Sequence, residues 1–300
     1  MKFVRYGQPG KEKPGFVDMQ GRLRDLSSEV DDIDGAALSD AGISRLRAAA
    51  AEAPTVDGAP RLGPPVARVG KFIAVGLNYS DHAAETGSPI PEEPIVFSKA
   101  TSCIVGAFDD IALPRGSIKT DWEVELGIVI GTQARYVERA DALKHVAGYL
   151  VINDVSEREY QLERGGTWDK GKGCDTFGPI GPWLVTRDEV PDPQLLDLWL
   201  NVNGEPRQRG NTRTMIFDCA TLVAYVSRFM TLMPGDIIAT GTPPGVALGM
   251  KPQPIYLKAG DTVTLGIGSL GEQCQRVVSC QTEAGRLSQG TGSGTMRRTA

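Results

Sequence analysis

Residues 121–126 read Asp-Trp-Glu-Val-Glu-Leu and run straight into Gly127-Ile128-Val129-Ile130-Gly131. Side chains alternate between faces in an extended chain. Asp121, Glu123 and Glu125 therefore share one face, and Trp122, Val124 and Leu126 the other. The apolar run that follows reads as a buried strand. Carboxylates at its head need water, a basic partner or a cation. Taken alone, the stretch is more simply an amphipathic strand with its acidic face in solvent. A second buried run, Gly148-Tyr149-Leu150-Val151-Ile152, ends in Asn153-Asp154 and brings a third carboxylate to a strand end, a favoured place for sites. Glu123, Glu125 and Asp154 make an all-oxygen, strongly anionic set. Such a set suits a hard divalent cation: Mg²⁺, with Mn²⁺ or Ca²⁺ as alternatives.

His82 and Glu85 lie three apart in GLNYSDHAAETG, residues 76–87. In a helical turn they share a face, and a carboxylate beside an imidazole fixes its tautomer and supports a base. The plain alternative is a surface histidine with a helical neighbour. Lys172 stands in the Gly-rich stretch WDKGKGCDTFGPIGPWLV, which can cradle an anion but is not a Walker motif. The amides and the Thr242 hydroxyl of TGTPPGV, residues 240–246, could bind a carboxylate, although the loop alone reads as a Pro-Gly turn. Cys174 has no histidine near it in sequence and reads as structural; His145 reads as ordinary helix surface.

Positioning these groups takes a strand-rich chain. Strands are expected at 3–6, 71–76, 94–99, 121–131, 148–152 and 198–202, the last closing on the hairpin signal Asn203-Gly204, with two or three more over 260–280. Ser39 should cap a helix over 40–51, and Ser80 or Asp81 a short one ending at Gly87. Helices are also expected over 138–146, after Asp154, and from Cys219 to Met230. The Pro- and Gly-rich 53–65 reads as a linker. It separates a small amino-terminal region (1–66) from a main domain (67–280), and a polar tail (281–300) is expected to be disordered.

The 300 residues carry 32 basic and 37 acidic side chains, a formal net charge of -5, and show no basic stripe, which argues against nucleic acid as partner. No run approaches a membrane span, and the amino terminus lacks a signal peptide's apolar core. Five scattered cysteines without a C-x-x-C pair fit a reducing cytoplasm, and two histidines do not make a multi-histidine zinc site. Together these residues describe a metal-assisted enzyme for a small carboxylated substrate.

Five segments in this order and spacing, GLNYSDHAAE, DWEVELGIVIG, YLVINDVSEREYQ, WDKGKGCDTFGPIGPWL and PGDIIATGTPPGV, resemble the fumarylacetoacetate hydrolase family over about residues 67–280. The resemblance implies a mixed α/β, mainly β fold wrapped round a metal site, in homodimers or larger assemblies. It implies metal ligands at Glu123, Glu125 and Asp154, and a water-activating pair at His82 and Glu85. Lys172 joins the catalytic set, with Lys99, Gln161 and Thr242 lining the substrate pocket. The nearest likeness is to bacterial hydrolases of 2,4-diketo-3-deoxy-L-rhamnonate or -fuconate. These imply cleavage of a small anionic 2,4-dioxo acid to pyruvate and a carboxylic acid such as lactate. Two alternatives stand beside it: a lyase or decarboxylase acting on ureidoglycolate or oxaloacetate, and a metal-dependent binding protein without turnover. The short amino-terminal region, unlike that of the animal enzyme, argues against fumarylacetoacetate itself as substrate.

Overall fold

Two fully buried neighbouring strands set the architecture. The computed structural model describes residues 1–87 and 89–280. At the amino terminus β1 (Lys2–Tyr6), β2 (Lys13–Val17) and β3 (Leu23–Asp25) form an antiparallel meander, followed by α1 (Asp40–Ala49) and β4 (Leu62–Gly63). The Ser39 side chain accepts from the Gly42 amide and starts α1. Next come β5 (Phe72–Gly76), α2 (Ser80–Thr86), β6 (Ile95–Lys99), β7 (Ile104–Gly106) and β8 (Ile111–Ala112). The pair β9 (Thr120–Asp121) and β10 (Val124–Ile130) leads to β11 (Val146–Asn153), β12 (Ser156–Glu157), the short helices α3 (Arg158–Leu162) and α4 (Asp169–Lys172), and β13 (Gly178–Thr186). The rest is β14 (Asp197–Val202), β15 (Glu205–Asn211), α5 (Cys219–Phe229), β16 (Ile237–Ala239), β17 (Thr262–Ile267) and β18 (Gly271–Val278).

The large sheet runs β3-β2-β1-β13-β11-β10-β16-β5-β6, with β4 on β1 and β7 on β13. Because β1 pairs with β13, the amino-terminal strands continue this sheet. A second sheet, β15-β14-β17-β18-β8, packs β17 and β18 against β11. This is the mixed, mainly β architecture expected. β10 and β11 are buried at every residue, as their unbroken apolar runs require, and pair antiparallel with Val124 opposite Asn153. Buried amides lock the end of β11. Gln273 donates to the carbonyls of Val151 (2.8 Å) and Gly181 (3.0 Å), and Asn153 donates to Gln275 Oε1 at 3.1 Å. Asn203 and Gly204 both hold positive φ, at 53° and 80°, as a two-residue hairpin demands.

The helix expected over 138–146 is only a 3₁₀ turn, Ala142–His145. The amides of Tyr136 and Val137 are taken by Ser227, and Ala142 is the one buried residue of 138–144. A short helix with so little apolar face does not repay its nucleation. No helix among the described residues is long and apolar enough to cross a membrane. The tail 281–300 lies outside the described residues.

Candidate active site

The β10–β11 register builds the acidic cluster. One more ladder bond, from the Asp154 amide to the Glu123 carbonyl (2.9 Å), sets Glu123 beside Asp154 just beyond the paired strands. Glu125, two residues on, shares the face of Glu123. Oxygens of the three buried carboxylates lie within 4.8 Å of one another. Arg158 Nη2 donates to Glu123 Oε1 at 2.5 Å, and Lys172 Nζ donates to Glu123 Oε2 at 2.7 Å and Asp154 Oδ2 at 2.6 Å. Glu125 receives only the Gly241 amide, at 2.8 Å, among the described residues. Gly241 holds φ at 93°, and a Cβ there would come within 2.8 Å of Asn78 Cβ, so glycine is needed to aim that amide.

These surroundings separate the two glutamates electrostatically. Burial pushes Glu123 up, but Lys172 and Arg158 outweigh it and bring its carboxyl down to about 2. Burial, then Asp154 and Glu123, push Glu125 well above the usual carboxylate range. Burial disfavours the Lys172 ammonium, yet Asp154 and Glu123 hold it above its ordinary value. A cluster with one carboxylate left without a basic partner, all oxygen donors and converging atoms fits a divalent cation.

Asp121 departs from the expected common face. The chain between β9 and β10 leaves extended pairing at Trp122 and Glu123, and Asp121 turns to Arg158 Nε (2.8 Å) and the amides of Ala247 (2.7 Å) and Leu248 (3.1 Å). It anchors the loop after residue 245 and Arg158 together.

The dyad arrives from another direction. Asn78 donates to the carbonyls of Phe217 (3.0 Å) and Thr240 (2.7 Å), which fixes the start of α2. One turn later His82 Nδ1 lies 3.2 Å from Glu85 Oε2, and that oxygen also accepts from the Gly245 amide at 3.2 Å. His82, Glu123, Glu125, Asp154, Arg158, Gln161, Lys172 and Thr242 face one cavity of about 240 Å³, smaller than the roughly 300–1,000 Å³ typical of drug-sized ligand pockets.

Residues 71–278 match the family described as fumarylacetoacetate (FAA) hydrolase C-terminal. The chain belongs to this family. A Burkholderia ambifaria protein bearing only the provisional name of a hydrolase is 66% identical over 276 residues, 92% of this chain and 98% of its own. Maleylpyruvate hydrolase from Sphingobium sp. SYK-6, solved with manganese(II) and pyruvate, is 30% identical with a TM-score of 0.78, covering 94% of this chain and 100% of that one. The 5-carboxymethyl-2-hydroxymuconate delta-isomerase from Mycobacterium smegmatis is 33% identical with a TM-score of 0.73, over 94% and 100% of the two chains. This fumarylacetoacetate hydrolase family chain is thus an enzyme, in a family whose similar members are named as hydrolases and isomerases.

In this family enzyme the expected pocket residues divide. Gln161 lines the cavity and accepts from Arg158 Nη1 at 2.9 Å. Thr242 lines it too, but its hydroxyl donates to the Val124 carbonyl (2.9 Å) and accepts from Gln208 (2.8 Å). Lys99 does not reach the cavity. Its buried Nζ donates to Asp154 Oδ1 at 2.5 Å and to the Lys172 carbonyl, so it braces the acidic cluster from behind. Of the 240–246 amides expected for a substrate carboxylate, those of Gly241 and Gly245 serve the protein's own Glu125 and Glu85, and that of Thr240 bonds the Leu126 carbonyl. Cys174 bonds the Lys170 carbonyl and burial lifts its thiol to about 11; His145 contacts the carbonyls of Thr132 and Gln133. Arg158, Phe97, Trp168 and Leu248 are site residues that sequence reasoning missed. Arg158 carried a signal, its i,i+3 spacing to Gln161; the apolar three carried none beyond ordinary core patterning.

Proposed function

We propose that this enzyme is a metal-dependent hydrolase cleaving the carbon–carbon bond of a 2,4-dioxo acid, giving pyruvate and a carboxylic acid. The observation that carries the reading is that His82, with Glu85 at its Nδ1, faces the same small cavity as the acidic cluster. Glu85 at Nδ1 fixes the tautomer in which His82 Nε2 accepts a proton. His82 takes that proton from water, and the hydroxide adds to the 4-oxo carbon. The bond between carbons 3 and 4 then breaks, its electron pair going to carbon 3 as the enolate of pyruvate. The proton taken up returns to carbon 3, so water and dioxo acid become two acids. Lys172 stays charged between Asp154 and Glu123 and lowers the energy of the developing enolate oxygen. A divalent cation on Glu123, Glu125 and Asp154, Mg²⁺ by the hardness of the donor set or Mn²⁺ or Ca²⁺ in its place, supplies Lewis-acid polarisation of the 2-oxo acid.

The acyl group in this reading is that of 2,4-diketo-3-deoxy-L-rhamnonate or -fuconate, with lactate as co-product, and the enzyme works as a cytoplasmic homodimer or larger assembly. A second reading, isomerisation of an unsaturated keto acid, is supported by likeness to a delta-isomerase. The deciding experiment follows pyruvate release by purified enzyme from the diketo sugar acid, a simple acylpyruvate, oxaloacetate and ureidoglycolate, with Mg²⁺ and with chelator. Chelator-sensitive pyruvate plus a carboxylic acid from the dioxo acids is expected. Pyruvate from oxaloacetate alone, or glyoxylate from ureidoglycolate alone, would overturn the hydrolase reading.

A further inference from the structure

Taking the dioxo-acid reading as given, we propose that Trp168 limits the acyl end of the cavity, and that this end admits short, uncharged acyl groups and rejects a second carboxylate. Trp168 directly precedes α4, and its ring lies on the backbone of Gly76 at the end of β5. A Cβ at residue 76 would fall 2.3 Å from Trp168 Cζ3, so the seat exists because residue 76 is glycine. The ring meets Phe97 of β6 edge-on, centroids 5.2 Å apart at 63°, and Phe97 in turn lies 5.4 Å from Lys172 Nζ. A continuous aromatic wall thus leads away from the charged end. Leu77, Leu162, Val246 and Leu248 complete the apolar lining.

The charges leave no place for a second anion. The cavity's two cationic side chains among the described residues are Arg158 and Lys172. Arg158 is shared among Asp121, Glu123 and Gln161, and Lys172 between Glu123 and Asp154. Three lining carboxylates face these two cations, and behind them Lys99 and Asp121 cancel. With a divalent cation bound and all three carboxylates ionised, these lining groups would carry a single positive charge, matching one substrate carboxylate. A carboxylate at the other end would stand desolvated against aromatic and aliphatic groups, at a cost of several kcal/mol, roughly. The terminal methyl of a 6-deoxy sugar acid meets no such penalty.

The test uses the Mg²⁺-loaded enzyme with acetylpyruvate, hexanoylpyruvate and succinylpyruvate, comparing kcat/KM. Acetylpyruvate is expected to exceed hexanoylpyruvate by roughly 10-fold or more and succinylpyruvate by about 10²-fold. Trp168→Ala should shift the hexanoyl-to-acetyl ratio at least ~10-fold toward the longer chain, with Trp168→Phe between the two. Leu248→Arg, at the half-exposed mouth, should raise the succinyl-to-acetyl ratio. Succinylpyruvate turned over as well as acetylpyruvate, or a length ratio unmoved in both Trp168 variants, would overturn the proposal. Binding of 2-oxohexanoate and 2-oxoadipate, which lack a 4-oxo group and cannot be cleaved, decides the same point by calorimetry without turnover. Tighter binding of the monoacid supports the apolar end even if no dioxo acid is hydrolysed, and equal binding overturns it.

Discussion

Lys99 Nζ donates to Asp154 Oδ1 at 2.5 Å while Lys172 takes Oδ2, so one buried aspartate is shared between two lysines of which only Lys172 faces the cavity. Lys99 is therefore a positioning residue. Lys99→Met leaves Asp154 half-compensated in a dry environment. The loss approaches the about 3–5 kcal/mol typical of breaking a buried pair, moderated by the remaining lysine. Urea denaturation should show this loss in chelator, with part of it restored by saturating Mg²⁺. A residue that only contacted substrate would leave the denaturation midpoint unchanged.

Glu125 makes the opposite case. It is buried beside two other carboxylates, and among the described residues only the Gly241 amide donates a hydrogen bond to it. Glu125→Gln keeps an acceptor for that amide and removes the repulsion. The metal-free variant should be more stable than the parent by about 1–3 kcal/mol, yet gain little when Mg²⁺ is added. Thermal melts with and without Mg²⁺ give both numbers. Destabilisation in chelator, or a full Mg²⁺-induced shift, would remove Glu125 from the cation site.

Asp218 starts α5, its Oδ1 accepting from the Thr221 amide at 2.7 Å while Arg139 pairs with Oδ2. Burial pushes its carboxyl up, but the hydrogen bonds from Arg139 and Thr221 outweigh that and hold it below the ordinary aspartate value. A carboxyl depressed in the folded state stabilises fully above its unfolded value, and that contribution fades as pH falls through the folded one. Asp218→Asn, which keeps the cap, should flatten the acid side of a plot of melting temperature against pH. Asp218→Ala should cost about 0.5–2 kcal/mol at neutral pH.

Much of this was legible because the two buried strands are written in period and composition. The runs after Glu125 and up to Ile152 are continuous and apolar, and residues two apart share a face, so the cluster could be read before its register was known. What could not be read depends on chain paths between elements. Asp121 has the same alternation phase as Glu123, yet it turns to Arg158 and the 247–248 amides because pairing breaks between β9 and β10. Lys99 lies at the end of a strand like any pocket lysine, and only the packing of β6 against α4 shows that it approaches Asp154 from behind. The seat of Trp168 on Gly76 joins positions more than ninety residues apart, and no local pattern announces it.

The dyad supplies the sharpest kinetic prediction. His82 pairs with Glu85, whereas Arg158, Lys172 and Lys99 hold the carboxylates of the acidic cluster, so removing the proposed base should leave the cation site intact. His82→Ala should lower kcat by about 10²–10⁴-fold with Mg²⁺ affinity unchanged by calorimetry. Glu85→Gln retains an acceptor for His82 Nδ1 and the Gly245 amide and loses only the negative charge beside the ring. It should therefore lose less activity than His82→Ala. Full turnover in His82→Ala would assign proton abstraction to another group, and a Glu85→Gln variant as active as the parent would reduce Glu85 to a helix-surface neighbour.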